Sequence, residues 1–207
     1  MNVEIDRSHA GPMIVVMQAT LLVLAGGESR RMGRPKAWLE VGETNLLRWM
    51  VERLGPAFSE VMVSFAEPEQ LEELVPYRLV FDRKKAAGPL AGIEAGLAVA
   101  RHEVVFAIAC DMPYVPRGLA ERAVSAARSC DAAIPRIDGR PEPVCGAYRR
   151  SALPFVTGAV NTGRLKAGDL SAELDVTWLE DLDPLLLRSL NTPQDLERFH
   201  AEFASQR

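Results

Sequence analysis

The stretch Leu21–Ala37, LLVLAGGESRRMGRPKA, decides how the whole chain is read. Its apolar run stops at Gly26-Gly27, and Arg30, Arg31, Arg34 and Lys36 follow at once. An unbroken apolar run suits a strand buried on both faces, and in open α/β sheets ligands bind where such strands end. Glycines let backbone N–H groups approach a ligand while fixed cations neutralise it, so the stretch predicts a phosphate site at a strand end. Spacing excludes the two commonest phosphate loops. Five residues lie between Gly27 and Gly33, where a Walker A loop has four, and Lys36 lies in Pro35-Lys36-Ala37. The adjacent pair Gly26-Gly27 also fails the G-x-G-x-x-G dinucleotide fingerprint.

Composition narrows the class further. A chain of 207 residues suits one domain, able to bury about 70% of its unfolded surface around a single core. The net charge of −4, with the cations gathered near the first loop, leaves no electrostatic footprint for nucleic acid. Cys110, Cys130 and Cys145 are odd in number and lack paired C-x-x-C spacing, so reduced thiols in a cytoplasm are expected. Pro12–Gly26 is largely apolar, but Glu4 and Asp6 outweigh Arg7, and the run ends in glycines and arginines rather than a cleavage site. No run reaches the roughly 18 apolar residues of a membrane span.

Short β-rich runs alternate with helix-period segments. Strands are expected at Thr20–Leu24, Glu60–Phe65, Tyr77–Phe81, Val104–Ala109, Ala132–Pro135 and Val144–Tyr148. Helices are expected at Leu46–Leu54, Pro68–Leu74, Leu90–Ala100 and Pro116–Arg128, with a last one opening near Pro193 behind Asn191-Thr192. The expected fold class is α/β: a single-domain, mostly parallel open sheet with helices on both faces.

The opening stretch resembles the signature L-A-G-G-x-S-x-R-M-G-x-x-K of the nucleotidyltransferases, and within them the molybdenum cofactor guanylyltransferases (MobA-like proteins). Leu24, Ala25, Gly26, Gly27, Ser29, Arg31, Met32, Gly33 and Lys36 fill every fixed position. The resemblance implies a Rossmann-like nucleotidyltransferase fold over residues 17–207. It leaves 1–16 as a poorly ordered extension, with Met13 or Met17 as alternative starts. Arg31 and Lys36 are then the catalytic cations on a triphosphate, and Leu24, Ala25, Gly26 and Gly27 border the nucleotide.

Three further motifs follow candidate strands. Cys110-Asp111-Met112-Pro113 matches the family's C-D-x-P and makes Asp111 catalytic, nucleotide-binding and the ligand of Mg2+. Its place just after the apolar run Val104–Ala109 already puts the Asp111 carboxylate at the binding edge of the sheet, where it can anchor Mg2+; the alternative is a cap of the next helix, and Cys110 reads as a small buried residue. Asp82 precedes the motif Gly88-Pro89-Leu90-Ala91-Gly92 and is expected to contact the base. Gly88 and Gly92 are expected to allow close helix packing or substrate approach, and Lys84 and Lys85 to form a solvated turn. Ser189-Leu190-Asn191-Thr192-Pro193-Gln194-Asp195-Leu196 matches N-x-N-T-P-E-D-L except at Ser189, and Asn191 is carried over to the metal site or its support. Ser64 is a second departure, standing where the family has a nucleotide-contacting Asn. Asp138–Pro143 faces the second substrate on this reading, and Arg164 is a weaker phosphate candidate.

The implied reaction moves GMP from GTP to the phosphate of molybdopterin or Mo-molybdopterin, giving molybdopterin guanine dinucleotide and pyrophosphate. Molybdenum-insertion proteins or molybdoenzyme chaperones are the implied protein partners. A CTP-dependent molybdopterin cytidylyltransferase or a sugar-phosphate nucleotidyltransferase keeps the same fold. A non-enzymatic cofactor-delivery or nucleotide-binding module is the reading that Arg31, Lys36 and Asp111 argue against.

Overall fold

The apolar run of the opening stretch forms β1 (Met17–Leu24), with neighbours on both sides in an eight-stranded sheet. The computed structural model describes residues 16–26, 35–71, 76–84, 88–163 and 173–204. The calls on Gly27, Arg31, Lys85 and Arg164, and on the first 15 residues, lie outside them.

After β1 come a 3-10 turn (Lys36–Trp38), a small hairpin of β2 (Glu40–Val41) and β3 (Thr44–Asn45), α1 (Leu46–Leu54) and β4 (Phe58–Phe65). Then follow β5 (Arg78–Phe81), α2 (Pro89–Val99), β6 (Val104–Ala109) and α3 (Arg117–Ala126). The chain continues through β7 (Ala132–Ile137), β8 (Arg140–Pro141), β9 (Cys145–Arg149), α4 (Leu153–Thr162), β10 (Val176–Leu179) and α5 (Pro193–Ala204). The sheet order is β10-β7-β9-β6-β1-β4-β5, with β8 paired to β7. Pairings β1·β4, β1·β6, β4·β5 and β7·β10 are parallel, while β9 runs against β6 and β7. The expected α/β fold with a mostly parallel open sheet is present, and β9 reverses the direction of its approach to the site.

Period-two burial divides the core. Leu21 and Val23 of β1 face a cluster containing Leu46 and Met50 of α1, Leu119 of α3 and Phe199 of α5. Leu22 and Leu24 face the other side, with Leu90 and Ile93 of α2 and Val156 and Val160 of α4. Each such fully buried side chain contributes about 1.5–3 kcal/mol. Gly96 lets α2 lie on the strand, because a Cβ there would stand 2.3 Å from Leu22 Cδ2.

The helix expected at Pro68–Leu74 is a 3-10 turn over Pro68–Gln70 instead. Gln70 Oε1 accepts from the N–H groups of Ala66 and Glu67, and Leu71 leaves the turn with extended backbone. Residues 72–75 are outside the described set.

Candidate active site

Lys36 is the hub of the candidate site. Its ammonium donates to Asp111 Oδ2 at 2.6 Å and to Asn191 Oδ1 at 2.7 Å, joining three separate sequence motifs. The side chains of Lys36 and Asp111 are only 19% and 18% exposed, so the pair is shielded more than a surface salt bridge.

Each partner is held by its own element. Trp38 anchors the Lys36 turn: it is 3% exposed, stacks on Phe65 at 5.9 Å and donates its indole N–H to Gln70 O at 2.8 Å. Asp111 follows β6, where Cys110 N donates to Leu24 O at 3.0 Å and Leu190 N donates to Asp111 O at 2.8 Å. The helix-cap alternative for Asp111 fails, since Pro116 is the residue ahead of α3. Asn191 stands just before the capping arrangement of α5. Asp195 Oδ2 accepts from Asn191 N and Thr192 N, and Thr192 Oγ1 accepts from Asp195 N. The Thr192 hydroxyl also donates to Asp195 Oδ2 at 2.8 Å, and this bond first, then the backbone donors, hold the Asp195 carboxyl below the usual carboxylate range.

At the end of β1, Ala25 N and Gly26 N both donate to Ser64 O, at 2.7 and 3.1 Å. Those two amides are therefore occupied by the neighbouring strand. Gly26 is required for the close approach, because a Cβ there would stand 2.3 Å from Ala66 N.

Ser64, 2% exposed, also points its hydroxyl at Asp82 Oδ1, a long contact of 3.5 Å. Burial pushes the Asp82 carboxyl up to about 6, and the nearby charge of Glu94 adds to the rise while the Ser64 hydroxyl opposes it. Glu94 on α2 is 4% exposed and accepts from Thr157 Oγ1 of α4 at 3.1 Å. Gly92 fits close packing, with a hypothetical Cβ only 2.6 Å from Ser64 Oγ. Gly88 has open space around it and owes its glycine to φ +63° at the entrance of α2.

Lys84 is exposed in a bend, as expected, and its ammonium also donates to Val160 O and Asn161 O near the C-terminal end of α4, where a cation is favoured. Ser189 lines a small cavity of about 110 Å³ with Tyr114, Arg188, Leu190, Asp195 and Arg198, beside Asn191. Cys110 is buried as expected, and burial pushes its thiol up, away from nucleophilic chemistry.

Sequence reasoning gave Glu142 no role of its own. Burial first, then the charge of Asp111, raises its carboxyl above the usual range. Inspection of residues after strands could not find it, because β9 is antiparallel and Glu142 precedes it. The available signal was Asp138-Gly139, a hairpin dipeptide that returns the chain to this edge, with φ +49° and +75°.

Among the described residues no group of three or more His, Cys, Asp or Glu is arranged to hold a metal, and no helix is long and apolar enough to cross a membrane. The donor set nonetheless suits Mg2+. The oxygens of Asp111 and Asn191 already converge on one cation, the Lys36 ammonium, and Mg2+ needs only one or two carboxylates plus substrate phosphates.

Comparison with known proteins agrees with this architecture. A probable molybdenum cofactor guanylyltransferase of Methanosarcina mazei is 35% identical, over 85% of this chain and 87% of its own. One from Carboxydothermus hydrogenoformans is 34% identical, over 86% of this chain and 93% of its own. The crystal structure of molybdopterin-guanine dinucleotide biosynthesis protein A from Archaeoglobus fulgidus superposes with a TM-score of 0.78 at 27% identity, covering 91% of this chain and 100% of that one. Residues 21–184, which carry the end of β1, Lys36, Ser64, Asp82 and Asp111, match the family described as MobA-like NTP transferase domain, and the chain belongs to that family.

Proposed function

We propose that the chain is a molybdenum cofactor guanylyltransferase, which transfers GMP from GTP to the phosphate of molybdopterin. The observation that carries this reading is the convergence of Lys36, Asp111 and Asn191 at the binding edge of the sheet, in a member of a nucleotidyltransferase family. The relatives from Carboxydothermus hydrogenoformans and Methanosarcina mazei carry the name probable molybdenum cofactor guanylyltransferase, which supports this reading.

Asp111 and Asn191 are the residues that would hold Mg2+. When bound, Mg2+ neutralises phosphate charge and fixes the α-phosphorus relative to the acceptor. Lys36 is the cation that offsets charge developing on the triphosphate, with Arg31 proposed to act beside it. An oxygen of the acceptor phosphate attacks the α-phosphorus, the bond to the bridging oxygen breaks, and pyrophosphate leaves with the electron pair. The acceptor phosphate is already an anion near neutral pH, so no protein nucleophile is required, in keeping with the inert Cys110 thiol.

Asp82 is proposed to read the base. Its carboxylate accepts from guanine N1–H and N2–H₂, a donor pair that cytosine lacks. Molybdopterin, with or without molybdenum, is the proposed acceptor in the cytoplasm, exchanged with molybdenum-insertion proteins or molybdoenzyme chaperones.

The test is calorimetric binding of GTP, CTP, ATP and UTP with Mg2+, on wild type and on Asp111→Ala. Selective GTP binding that weakens in the variant is expected. Preference for CTP would favour the cytidylyltransferase, and absence of nucleotide binding would favour the delivery module.

A further inference from the structure

The turn that carries Asp111 cannot satisfy all of its own backbone. Ala109 O accepts from Met112 N at 3.1 Å, Asp111 O from Leu190 N at 2.8 Å and Met112 O from Val115 N at 3.5 Å. The next bond of that series would run to Pro113 O from the N–H of residue 116, which is a proline and has none. Pro113 is buried, and a shielded carbonyl without a donor is costly, so a donor has to come from another element.

That donor is on α1. The guanidinium of Arg53, in the last turn of the helix, donates to Pro113 O across 60 residues of sequence. The same guanidinium lies over the Trp49 ring, 5.1 Å from its centre, one helical turn earlier. Trp49 in turn meets the fully buried Phe199 of α5 edge-on at 5.3 Å. A planar fork already braced by an aromatic ring loses little further freedom when it donates.

The residue after Pro113 is gripped from the other side. Tyr114 meets Phe199 edge-on at 5.5 Å, and the Arg188 guanidinium stands 4.3 Å from the Tyr114 ring centre. Between this tether and Asp111 lie only Met112, which is fully buried, and Pro113, whose φ is fixed. Little freedom remains to move the Asp111 carboxylate independently of Pro113 O. A carboxylate that has to meet a cation and a reacting phosphate tolerates displacement of only about 0.5 Å.

We propose that Arg53 is a positioning residue: by donating to Pro113 O it fixes the turn that aims Asp111 at the cation and the triphosphate. The inference deepens the proposed function and rests on it. Arg53 acts through Asp111 and touches neither nucleotide nor metal, so its loss shows in metal affinity and turnover and not in the hold on GTP.

The experiment titrates Mn2+ into the full-length protein, following the free-ion electron paramagnetic resonance signal, and measures pyrophosphate release with Mg2+, GTP and molybdopterin. Wild type, Asp111→Asn, Arg53→Met and Arg53→Lys are compared, after thermal melts establish that each is folded. Arg53 lies on the exposed side of α1, so its replacement leaves the core intact. Arg53→Met is expected to lose about tenfold in Mn2+ affinity and about tenfold in kcat, with KM for GTP within about twofold of wild type. Arg53→Lys, which keeps an ammonium donor, is expected to recover most of both losses. If Asp111→Asn weakens Mn2+ while Arg53→Met keeps wild-type Mn2+ affinity and kcat, whatever its melting temperature, the positioning role is overturned and the proposed function stands. If Asp111→Asn itself does not weaken Mn2+, the cation site is overturned, and the role of Arg53 with it.

Discussion

Lys36 Nζ lies 2.6 Å from Asp111 Oδ2 although 75 residues separate the two in sequence. The contact makes Lys36 a resident cation at the point where the metal is proposed to bind, so ammonium and metal compete for one carboxylate. Lys36→Met is therefore expected to shift two measurements in opposite directions. Mg2+ binding to the nucleotide-free protein becomes severalfold tighter, while transfer slows by about 10²–10³ because a donor to the reacting phosphates is lost. Calorimetry and a pyrophosphate-release assay check the two arms. A slower enzyme with unchanged Mg2+ affinity would contradict the competition.

The raised Asp82 carboxyl gives a pH signature with a definite sign. The folded chain titrates Asp82 at about 6 against 3.8 for an ordinary aspartate, so the fold favours the neutral acid. That contribution to stability is fully present below the unfolded value and is lost as pH rises through about 6. The proposed base recognition uses the carboxylate, so binding is expected to run the other way. Between about pH 5 and about pH 7 the ionised fraction grows about tenfold, and the affinity advantage of wild type over Asp82→Asn for GTP should grow with it. Comparing the two proteins at each pH cancels titration of the triphosphate itself. A ratio independent of pH would remove Asp82 from the base site.

Gly26→Ala places a methyl group 2.3 Å from the backbone nitrogen of Ala66, where no side chain can give way. The ends of β1 and β4 must separate, at an expected cost of about 1–3 kcal/mol in urea unfolding. The bonds from Ala25 and Gly26 to Ser64 O lengthen with them, so GTP affinity should fall as well. Wild-type stability in the variant would contradict the packing described for this turn.

Thr157→Val tests the bridge between α2 and α4. The substitution nearly preserves volume but removes the hydroxyl that donates to the buried Glu94 carboxylate at 3.1 Å. A loss of about 1–3 kcal/mol is expected from equilibrium unfolding. Glu94→Gln combined with Thr157→Val should recover part of it, since the buried charge is gone.

The parts legible in the sequence were those governed by local pattern. The apolar run of β6, the amphipathic period of α1 and the Thr192-Pro193 start of α5 place Asp111, α1 itself and Asn191 without tertiary information. Lys36 could be named from its motif, yet nothing local says that it reaches Asp111 and Asn191. Pro68-Glu69-Gln70 begins like a helix, but the Gln70 side chain takes the Ala66 and Glu67 amides and only a single turn forms. Lys84 is exposed as its sequence suggests, but nothing local says that α4 brings its carbonyl end alongside. Glu142 was reached only as part of the stretch Asp138–Pro143, since only the reversed direction of β9 brings residues before a strand to the edge where the others bring residues after one.

The most direct test of the central claim is reconstitution of the transfer itself. Purified protein is incubated with Mg2+, molybdopterin and each of GTP and CTP, and products are followed by mass spectrometry alongside pyrophosphate release. The account predicts molybdopterin guanine dinucleotide and one pyrophosphate per product with GTP, with both lost in Asp111→Ala. A cytosine dinucleotide formed in preference, or product formation that survives Asp111→Ala, would contradict it.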